Sequence, residues 1–234
     1  FFETPPAKRP ASLDKLIHCR NYQFTEDFIQ VFSHDEVVHE KKSLIMKMAG
    51  GETLDTKASD LRSLFVLLWG WPGKKTLFMG GEFGQIAEWA VNSSLQWELL
   101  ESSIHQGLQQ LVRDLNHIYI TESTVHETDS LAEAFKFLDL DDDSGNLLAF
   151  LRRGNLPGEV KLFAFNFGAS CQTKLFGVPE KGSWKVEINS SSTLYGGTLC
   201  EDQCATVVAG TDRPPYSIEL DLPAFSAQIL QYIR

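Results

Sequence analysis

Four consecutive polar residues, SHDE at positions 33–36, offer the first candidate chemistry in this sequence. Asp35 and Glu36 suggest the paired carboxylates of a glycosidase, which flank one bond about 5–5.5 Å apart in retaining enzymes. Neighbouring side chains of an extended segment point to opposite faces, so these two acids are not expected to form that pair. A local Ser-His-Asp triad is also excluded, since triad members meet through folding. A functional and a structural role for the cluster both remain open at this point.

The position of this cluster in the chain matters as much as its composition. It follows an apolar run at residues 28–32, and a second polar segment, GGEFGQ at residues 80–85, follows the apolar run 76–79. Both segments lie at the carboxyl end of an apparent parallel strand, where α/β barrels carry their active sites. The glycine-rich segment lacks the Lys-Ser/Thr of a phosphate cradle, and we interpret it as a tight turn.

Several tryptophans are candidates for stacking on sugar rings, because the indole combines a large apolar face with a polar N–H group. The four that we consider are Trp69, Trp71, Trp89 and Trp97. Trp69 lies on an apolar helix face and is expected in the core. Trp89, in a polar stretch beside Glu88, is the stronger candidate for a side chain that faces a glucan.

The composition argues against other classes of function. The formal net charge is -10 and the basic residues are scattered, so we expect no nucleic-acid partner. Cys19, Cys171, Cys200 and Cys204 match no common zinc spacing, and we interpret them as free thiols of a cytoplasmic protein. The acidic run 139–143 lacks the frame of a calcium loop, so neither a metal nor a cofactor is expected. No apolar run reaches the ~18 residues that a membrane helix needs.

The elements that must position these residues alternate between helix and strand up to about residue 121. We predict helices at 13–21, 61–69 and 104–119, with strands at 28–32 and 76–79. Ser12 and Asp60 are the expected N-caps of the first two helices. This order, with almost unbroken apolar strands, is typical of a buried parallel α/β sheet. Two strands cannot close a barrel, and the chain begins without an initiator Met, so we expect a further N-terminal part.

From about residue 134 the pattern changes to short apolar runs separated by glycine-rich turns. The predicted strands are residues 134–140, 146–151, 160–166, 173–177, 184–188, 217–222 and 227–233. Strands of this length and spacing are typical of an antiparallel β-sandwich. We therefore expect two units, residues 1–125 and residues 126–234.

Several motifs together resemble the branching enzymes of the α-amylase superfamily. SHDEVVH at residues 33–39 is similar to the fourth conserved region of that family. The other matching motifs, in the same order, are PGKK at 72–75, FMGGEFGQ at 78–85, EW at 88–89, VRDLN at 112–116 and LFAFNF at 162–167. The similarity covers nearly the whole chain. Glu40 and Lys42 stand where the family usually has glycines, which leaves the conformation of that loop open.

The resemblance implies the last strands and helices of a (β/α)8 barrel followed by a C-terminal β-sandwich. It implies an enzyme that breaks an α-1,4 bond of amylose or glycogen and transfers the chain to a 6-hydroxyl. Asp35 would be the third catalytic carboxylate, which stabilises the transition state. His34 would bind the same sugar, and Glu36 and Trp89 are further expected substrate contacts.

The resemblance also implies what this chain lacks. The nucleophilic Asp and the acid/base Glu belong to earlier barrel strands, so we expect the chain to be inactive without the remainder of the parent catalytic domain. Three alternatives stay open: a debranching or trehalose-forming enzyme of the same superfamily, a non-catalytic glucan-binding module, and a degenerate product without activity.

Overall fold

The computed structural model describes residues 1–138, 145–199, 206–208 and 216–233. The first half of the chain is mainly helical and contains two short strands. Its elements are α1 (Leu13–Gln23), β1 (Ile29–Phe32), α2 (Leu44–Lys47), α3 (Leu54–Gly70), β2 (Lys74–Leu77), α4 (Ser103–Thr121) and α5 (Ser123–His126). All three predicted helices and both predicted strands are present, with shifted ends.

The two strands β1 and β2 pair in parallel, from Ile29 opposite Lys74 to Phe32 opposite Leu77. The predicted parallel arrangement is confirmed, but the prediction that both strands are buried is wrong. Ile29 and Val31 are 57% and 55% exposed. Phe32 and Leu77 pack against the hydrophobic core. Exposed and partly buried residues alternate along both strands, because successive side chains point to opposite faces. One face of the pair packs against the core, and the other is open.

Helix α3 begins earlier than the sequence suggests. Thr53 caps it, since its Oγ accepts the backbone N–H of Thr56 at 3.3 Å. Asp60, the predicted N-cap, lies inside α3 with a fully buried side chain, so that prediction is wrong. Aspartate favours caps because it accepts backbone N–H groups, but here Arg9 satisfies the carboxylate. Ser12 precedes α1 as predicted, although its side chain makes no capping hydrogen bond.

The second half of the chain is an antiparallel β domain. Its strands are β3 (Phe135–Leu138), β4 (Leu147–Arg153), β5 (Val160–Asn166), β6 (Gln172–Val178), β7 (Ser183–Asn189), β8 (Thr206–Val208), β9 (Tyr216–Leu222) and β10 (Ser226–Ile233). Six of them form one sheet in the order β3-β4-β5-β10-β7-β8, and β6 pairs with β9. Each of the seven predicted strands overlaps an observed strand, and residues 139–140 of the first one lie outside the described residues. The sequence pattern did not reveal β8.

Strands β4 and β5, in the six-stranded sheet, are buried on both faces. Leu151 and Leu162 share a core cluster with Phe176 of the β6–β9 pair. Phe150 and Phe163 alternate to the opposite face and join the core that contains the apolar residues of α3 and α4. This second layer explains the apolar runs 147–151 of β4 and 162–165 of β5, since a strand with both faces covered needs few polar positions.

A buried ion pair connects the N-terminal segment, α3 and the β domain. Arg9 Nη1 lies 2.7 Å from Asp60 Oδ1 and donates to the Phe167 carbonyl at 3.0 Å, and both charged side chains are fully buried. Burial raises the pKa of Asp60 above its ordinary value, and the Arg9 guanidinium opposes that rise. A second pair, Arg152 Nη2 with Asp129 Oδ1 at 2.8 Å, joins β4 to the segment that precedes β3.

The cysteines and acidic residues considered in the sequence lie partly within the described residues. Cys19 and Cys171 are free thiols. Cys200, Cys204 and the acidic run 139–143 lie outside the described residues. Within the described ranges, no group of three or more His, Cys, Asp or Glu side chains is arranged to hold a metal ion. In the same part of the chain, every helix is too short or too polar to cross a bilayer.

Candidate functional site

The polar cluster after β1 forms a short 3-10 turn, His34–Glu36. Ser33 caps this turn, because its Oγ accepts the backbone N–H of Asp35 at 3.2 Å. A serine hydroxyl offers the backbone such a local partner and so ends a strand readily. The assumption of an extended segment at Asp35 and Glu36 is therefore wrong.

His34 and Asp35 form an exposed pair at the end of β1. Nε2 of His34 lies 3.3 Å from Oδ1 of Asp35, and the two side chains are 59% and 72% exposed. The Lys41 ammonium donates to the backbone carbonyl of Asp35 at 2.8 Å. A carboxylate accepts at up to about four lone-pair positions, so Asp35 retains capacity for hydroxyl donors. The pair therefore suits a ligand rich in hydroxyl groups.

Trp89 belongs to the same surface through an aromatic residue between it and His34. The Phe78 ring lies 5.9 Å from the imidazole of His34 and 5.3 Å from the indole of Trp89. The backbone N–H of Trp89 donates to the Val37 carbonyl at 3.2 Å. Sequence reasoning missed Phe78, because an apolar residue just after a strand gives no signal beyond its strand-like pattern.

Glu36 contacts a different part of the molecule. Its carboxylate lies 3.5 Å from the Lys47 ammonium, which is also 3.6 Å from Glu3. Glu36 lines a cavity of about 620 Å³ whose other walls are mostly apolar and come mainly from the N-terminal segment, α1, β1, α2 and α3. The rings of His34, Phe78 and Trp89 contact one another in sequence, and we call them the row. Glu36 is not part of this row.

The loop that follows the turn adopts a left-handed backbone conformation at three residues that are not glycine. The φ angles of His39, Glu40 and Lys42 are 60°, 64° and 68°. Glu88 binds this loop: its Oε2 accepts the Glu40 N–H at 3.1 Å, and its Oε1 accepts the Lys42 N–H. The open question about the loop is thereby answered, because the residues that replace the family's glycines keep positive φ. Sequence reasoning noticed Glu88 as a motif residue and missed this contact.

The glycine-rich segment after β2 forms the tight turn that the sequence predicts. Gly80 and Gly84 have φ of 83° and 69°, a region that glycine enters without a steric penalty. The Gln85 N–H closes the turn on the Gly80 carbonyl at 2.9 Å. This turn starts the chain segment that carries Glu88 and Trp89 back to the loop after β1.

The remaining tryptophans divide between core and surface. Trp69 and Trp71 are 5% and 6% exposed and belong to the core, as predicted for Trp69. Trp97 is 53% exposed and lies against Phe83 with a centroid distance of 5.2 Å. Trp97 has no contact with the row of His34, Phe78 and Trp89 among the ring pairs described.

Comparison with known proteins gives a consistent picture. Residues 137–233 match the family described as alpha amylase, C-terminal all-beta domain. The chain is 38% identical over 236 residues to the 1,4-alpha-glucan branching enzyme GlgB of Roseobacter denitrificans. The aligned region covers 99% of this chain and 32% of that protein. It is 41% identical over 199 residues to the enzyme of the same name from Aquifex aeolicus, covering 85% of this chain and 31% of that protein. Over nearly its whole length, the chain is thus similar to part of these 1,4-alpha-glucan branching enzymes.

The chain spans about a third of the length of the curated relatives that it matches, and its second half matches a family model of a C-terminal domain. A debranching enzyme from Nostoc punctiforme has a similar structure, with a TM-score of 0.61 and 20% sequence identity over 97% of this chain and 40% of that chain. At that identity the likeness shows the fold alone.

Proposed function

We propose that this chain is part of a 1,4-α-glucan branching enzyme, which cleaves α-1,4 bonds and forms α-1,6 branches in glycogen or amylose. The proposal rests on one observation: Asp35 and His34 form an exposed pair at the end of a parallel strand, in a chain 38% identical to a branching enzyme over nearly its whole length. Carboxyl ends of parallel strands are where α/β barrels carry their catalytic groups.

The parallel pair β1–β2 is proposed to be the end of a (β/α)8 barrel. Within the described residues, this pair has an open face and no strand on either edge, which supports the idea, since a barrel would supply neighbours. The first unit would comprise residues 1–125 and the β domain residues 126–234. The remainder of the catalytic domain would then be a partner of this chain in the parent protein.

In the proposed reaction, a carboxylate outside this chain attacks the anomeric carbon while an acid protonates the leaving oxygen, so that the α-1,4 bond breaks. The 6-hydroxyl of a second glucan then attacks the glycosyl-enzyme, the carboxylate leaves, and the hydroxyl proton passes to the base. Asp35 forms no covalent bond in either step. Its negative charge would stabilise the positive charge that develops on the sugar ring, and its oxygens would accept sugar hydroxyls.

The other expected substrate contacts differ in how freely their side chains could reach a glucan. His34 is proposed to hydrogen-bond the same sugar, because it is exposed and adjacent to Asp35. Trp89 is proposed to present its indole to the glucan next to Phe78. Glu36, which pairs with Lys47, would reach a glucan only after that pair opens. The free thiols Cys19 and Cys171 support the proposed cytoplasmic location, since reducing compartments keep thiols unpaired.

The experiment compares the full-length parent protein with its Asp35→Asn variant, using amylose and iodine. Branching lowers the absorbance of the iodine complex, and product analysis for α-1,6 linkages separates branching from debranching or trehalose formation. We expect Asp35→Asn to reduce turnover by a factor on the order of 10² or more, as loss of transition-state electrostatics should.

Two controls accompany this comparison. Asp27→Asn changes an exposed acid just before β1, far from the polar end of that strand, and should leave turnover unchanged. The 234-residue chain alone should be inactive. Near-normal turnover of Asp35→Asn would show that Asp35 is a structural residue, and binding of glycogen without turnover by the full-length protein would favour a non-catalytic glucan-binding module.

A further inference from the structure

The loop at residues 39–42, which we name the left-handed loop, has an unusual backbone. In the described part of the chain, four residues other than glycine have positive φ, and three of them, His39, Glu40 and Lys42, lie in this loop. An L-residue in this region brings its Cβ close to the following carbonyl oxygen. All four loop residues are exposed, so core packing does not hold the conformation.

One side chain from a distant segment holds the loop instead. Both oxygens of the Glu88 carboxylate accept backbone N–H groups, Oε2 from Glu40 at 3.1 Å and Oε1 from Lys42. A charged acceptor makes stronger hydrogen bonds than a neutral one, and here one carboxylate serves two donors that are two residues apart. Ser43 adds a third connection at the end of the loop, since its Oγ donates to the Ile86 carbonyl at 2.7 Å.

The left-handed loop is joined to the turn that carries Asp35. Lys41, at the centre of the loop, donates its ammonium to the Asp35 carbonyl at 2.8 Å. Trp89, adjacent to Glu88, donates its backbone N–H to Val37, which directly follows the turn. A displacement of the loop would therefore move both the backbone of Asp35 and the indole next to it.

We propose that Glu88 is a positioning residue: its carboxylate fixes the left-handed loop and thereby the turn that presents Asp35. The kinetic part of this inference rests on the proposed branching activity. Glu88 does not itself contact a substrate in this role. The carboxylate at residue 88 is predicted to matter more here than it would in a loop with glycine at residues 40 and 42. Glycine would adopt positive φ there unaided, whereas Glu40 and Lys42 do so at a steric cost.

The chemistry of the contact defines the substitution that tests it. Glu88→Gln keeps the shape of the side chain but replaces one acceptor oxygen by an NH₂ group, which cannot accept a hydrogen bond. One of the two loop N–H groups then loses its partner. In a loop with Glu40→Gly and Lys42→Gly, the backbone keeps positive φ without that partner, so the same Glu88→Gln change should have a smaller effect.

The experiment is a double-mutant cycle in the full-length protein: wild type, Glu88→Gln, Glu40→Gly/Lys42→Gly, and the combination of all three changes. In the native loop, Glu88→Gln should reduce kcat for branching about tenfold, the effect expected for one hydrogen bond to a charged group. KM should change less than kcat. In the glycine loop, Glu88→Gln should leave most of the kcat of its parent. Glu98→Gln, an exposed acid on a neighbouring 3-10 turn, is the matched control and should change neither quantity.

Thermal unfolding of the same proteins provides the second readout. Glu88→Gln should lower the Tm in the native loop and lower it less in the glycine loop. Equal effects of Glu88→Gln in both loops, or wild-type kcat in the native-loop variant, would overturn the inference. If the wild-type protein shows no branching, the proposed function fails, and the coupling of Glu88 to the loop is then decided by the Tm values alone.

Discussion

Replacement of Arg9 by methionine should be among the most damaging single substitutions in this chain. Arg9 and Asp60 are both fully buried and share two hydrogen bonds, one of 2.7 Å between Nη1 and Oδ1. Arg9 also donates to the carbonyls of Thr4 and Phe167, each at 3.0 Å. One side chain therefore connects the N-terminal segment, α3 and the end of β5.

The magnitude follows from what Arg9→Met leaves behind. Methionine fills much of the volume but leaves the Asp60 carboxylate buried without a counter-charge, and removing one partner of a buried pair costs about 3–5 kcal/mol. Small proteins have only about 5–15 kcal/mol of unfolding free energy in total, so the loss would be a large share. Replacing both residues, by Arg9→Met with Asp60→Leu, should recover much of it, because no buried charge remains.

The loss should also depend on pH, with a defined sign. Burial raises the pKa of Asp60, and the guanidinium of Arg9 opposes that rise, so the pKa rises further in Arg9→Met. With a folded-state pKa above the unfolded value of about 3.9, the folded state binds the proton more tightly. The variant is therefore stabilised as pH falls through the folded-state pKa, and the difference from wild type narrows toward pH 4.

The assay is denaturant unfolding of the 234-residue chain, followed by tryptophan fluorescence at several pH values. Lys8→Met changes an exposed cation next to Arg9 and serves as the control, with an expected change within about 0.5 kcal/mol. A loss below about 1 kcal/mol for Arg9→Met, or a loss that is the same at pH 4 and pH 7, would refute the idea that an unpaired Asp60 carboxylate carries the cost.

Two further substitutions test the packing around α4 and β2. Burial lowers the pKa of Lys75 to about 7, so the unfolded state binds more protons above that pH, and unfolding free energy should rise with pH between about 7 and 10 in wild type. Lys75→Met should lose this rise in a pH series of unfolding curves, and Lys74→Met, an exposed neighbour, should keep it. Gly107→Ala should destabilise the chain by about 1–3 kcal/mol, although alanine favours helices, because a Cβ there would lie 2.1 Å from the backbone of Tyr195. His117→Ala on the exposed face of α4 should be near neutral in thermal unfolding; an equally mild Gly107→Ala would contradict the close approach.

The hydrophobic pattern predicted helices and strands well where burial alone explains the residue types. Strand β5 has the predicted bounds, Val160–Asn166, because both its faces are buried and every residue had to be compatible with a core. Helix α4 was recognisable from its apolar stripe, which matches the helical period. Burial was predicted less well at β1. An apolar run is compatible with burial on both faces, but it does not show whether another layer packs on each face.

Side-chain partners were harder to predict than elements. Asp60 has the residue type of an N-cap, and only the approach of Arg9 from 51 positions away makes it a buried ion pair instead. The contacts of Glu88 with Glu40 and Lys42 join segments 48 and 46 positions apart. No local signal distinguishes a glutamate that clamps a backbone from one that faces solvent.

Local sequence patterns were enough to predict the parallel and antiparallel halves, the turn at Gly80, and the placement of Asp35 at the end of a strand, because hydrophobic period and turn chemistry act over a few residues. The tertiary structure decided that His34 and Trp89 meet through Phe78, that Glu36 binds Lys47, and that non-glycine residues keep a left-handed loop. These outcomes depend on hydrogen bonds and ring contacts between distant segments, and such contacts exist only once the chain has folded.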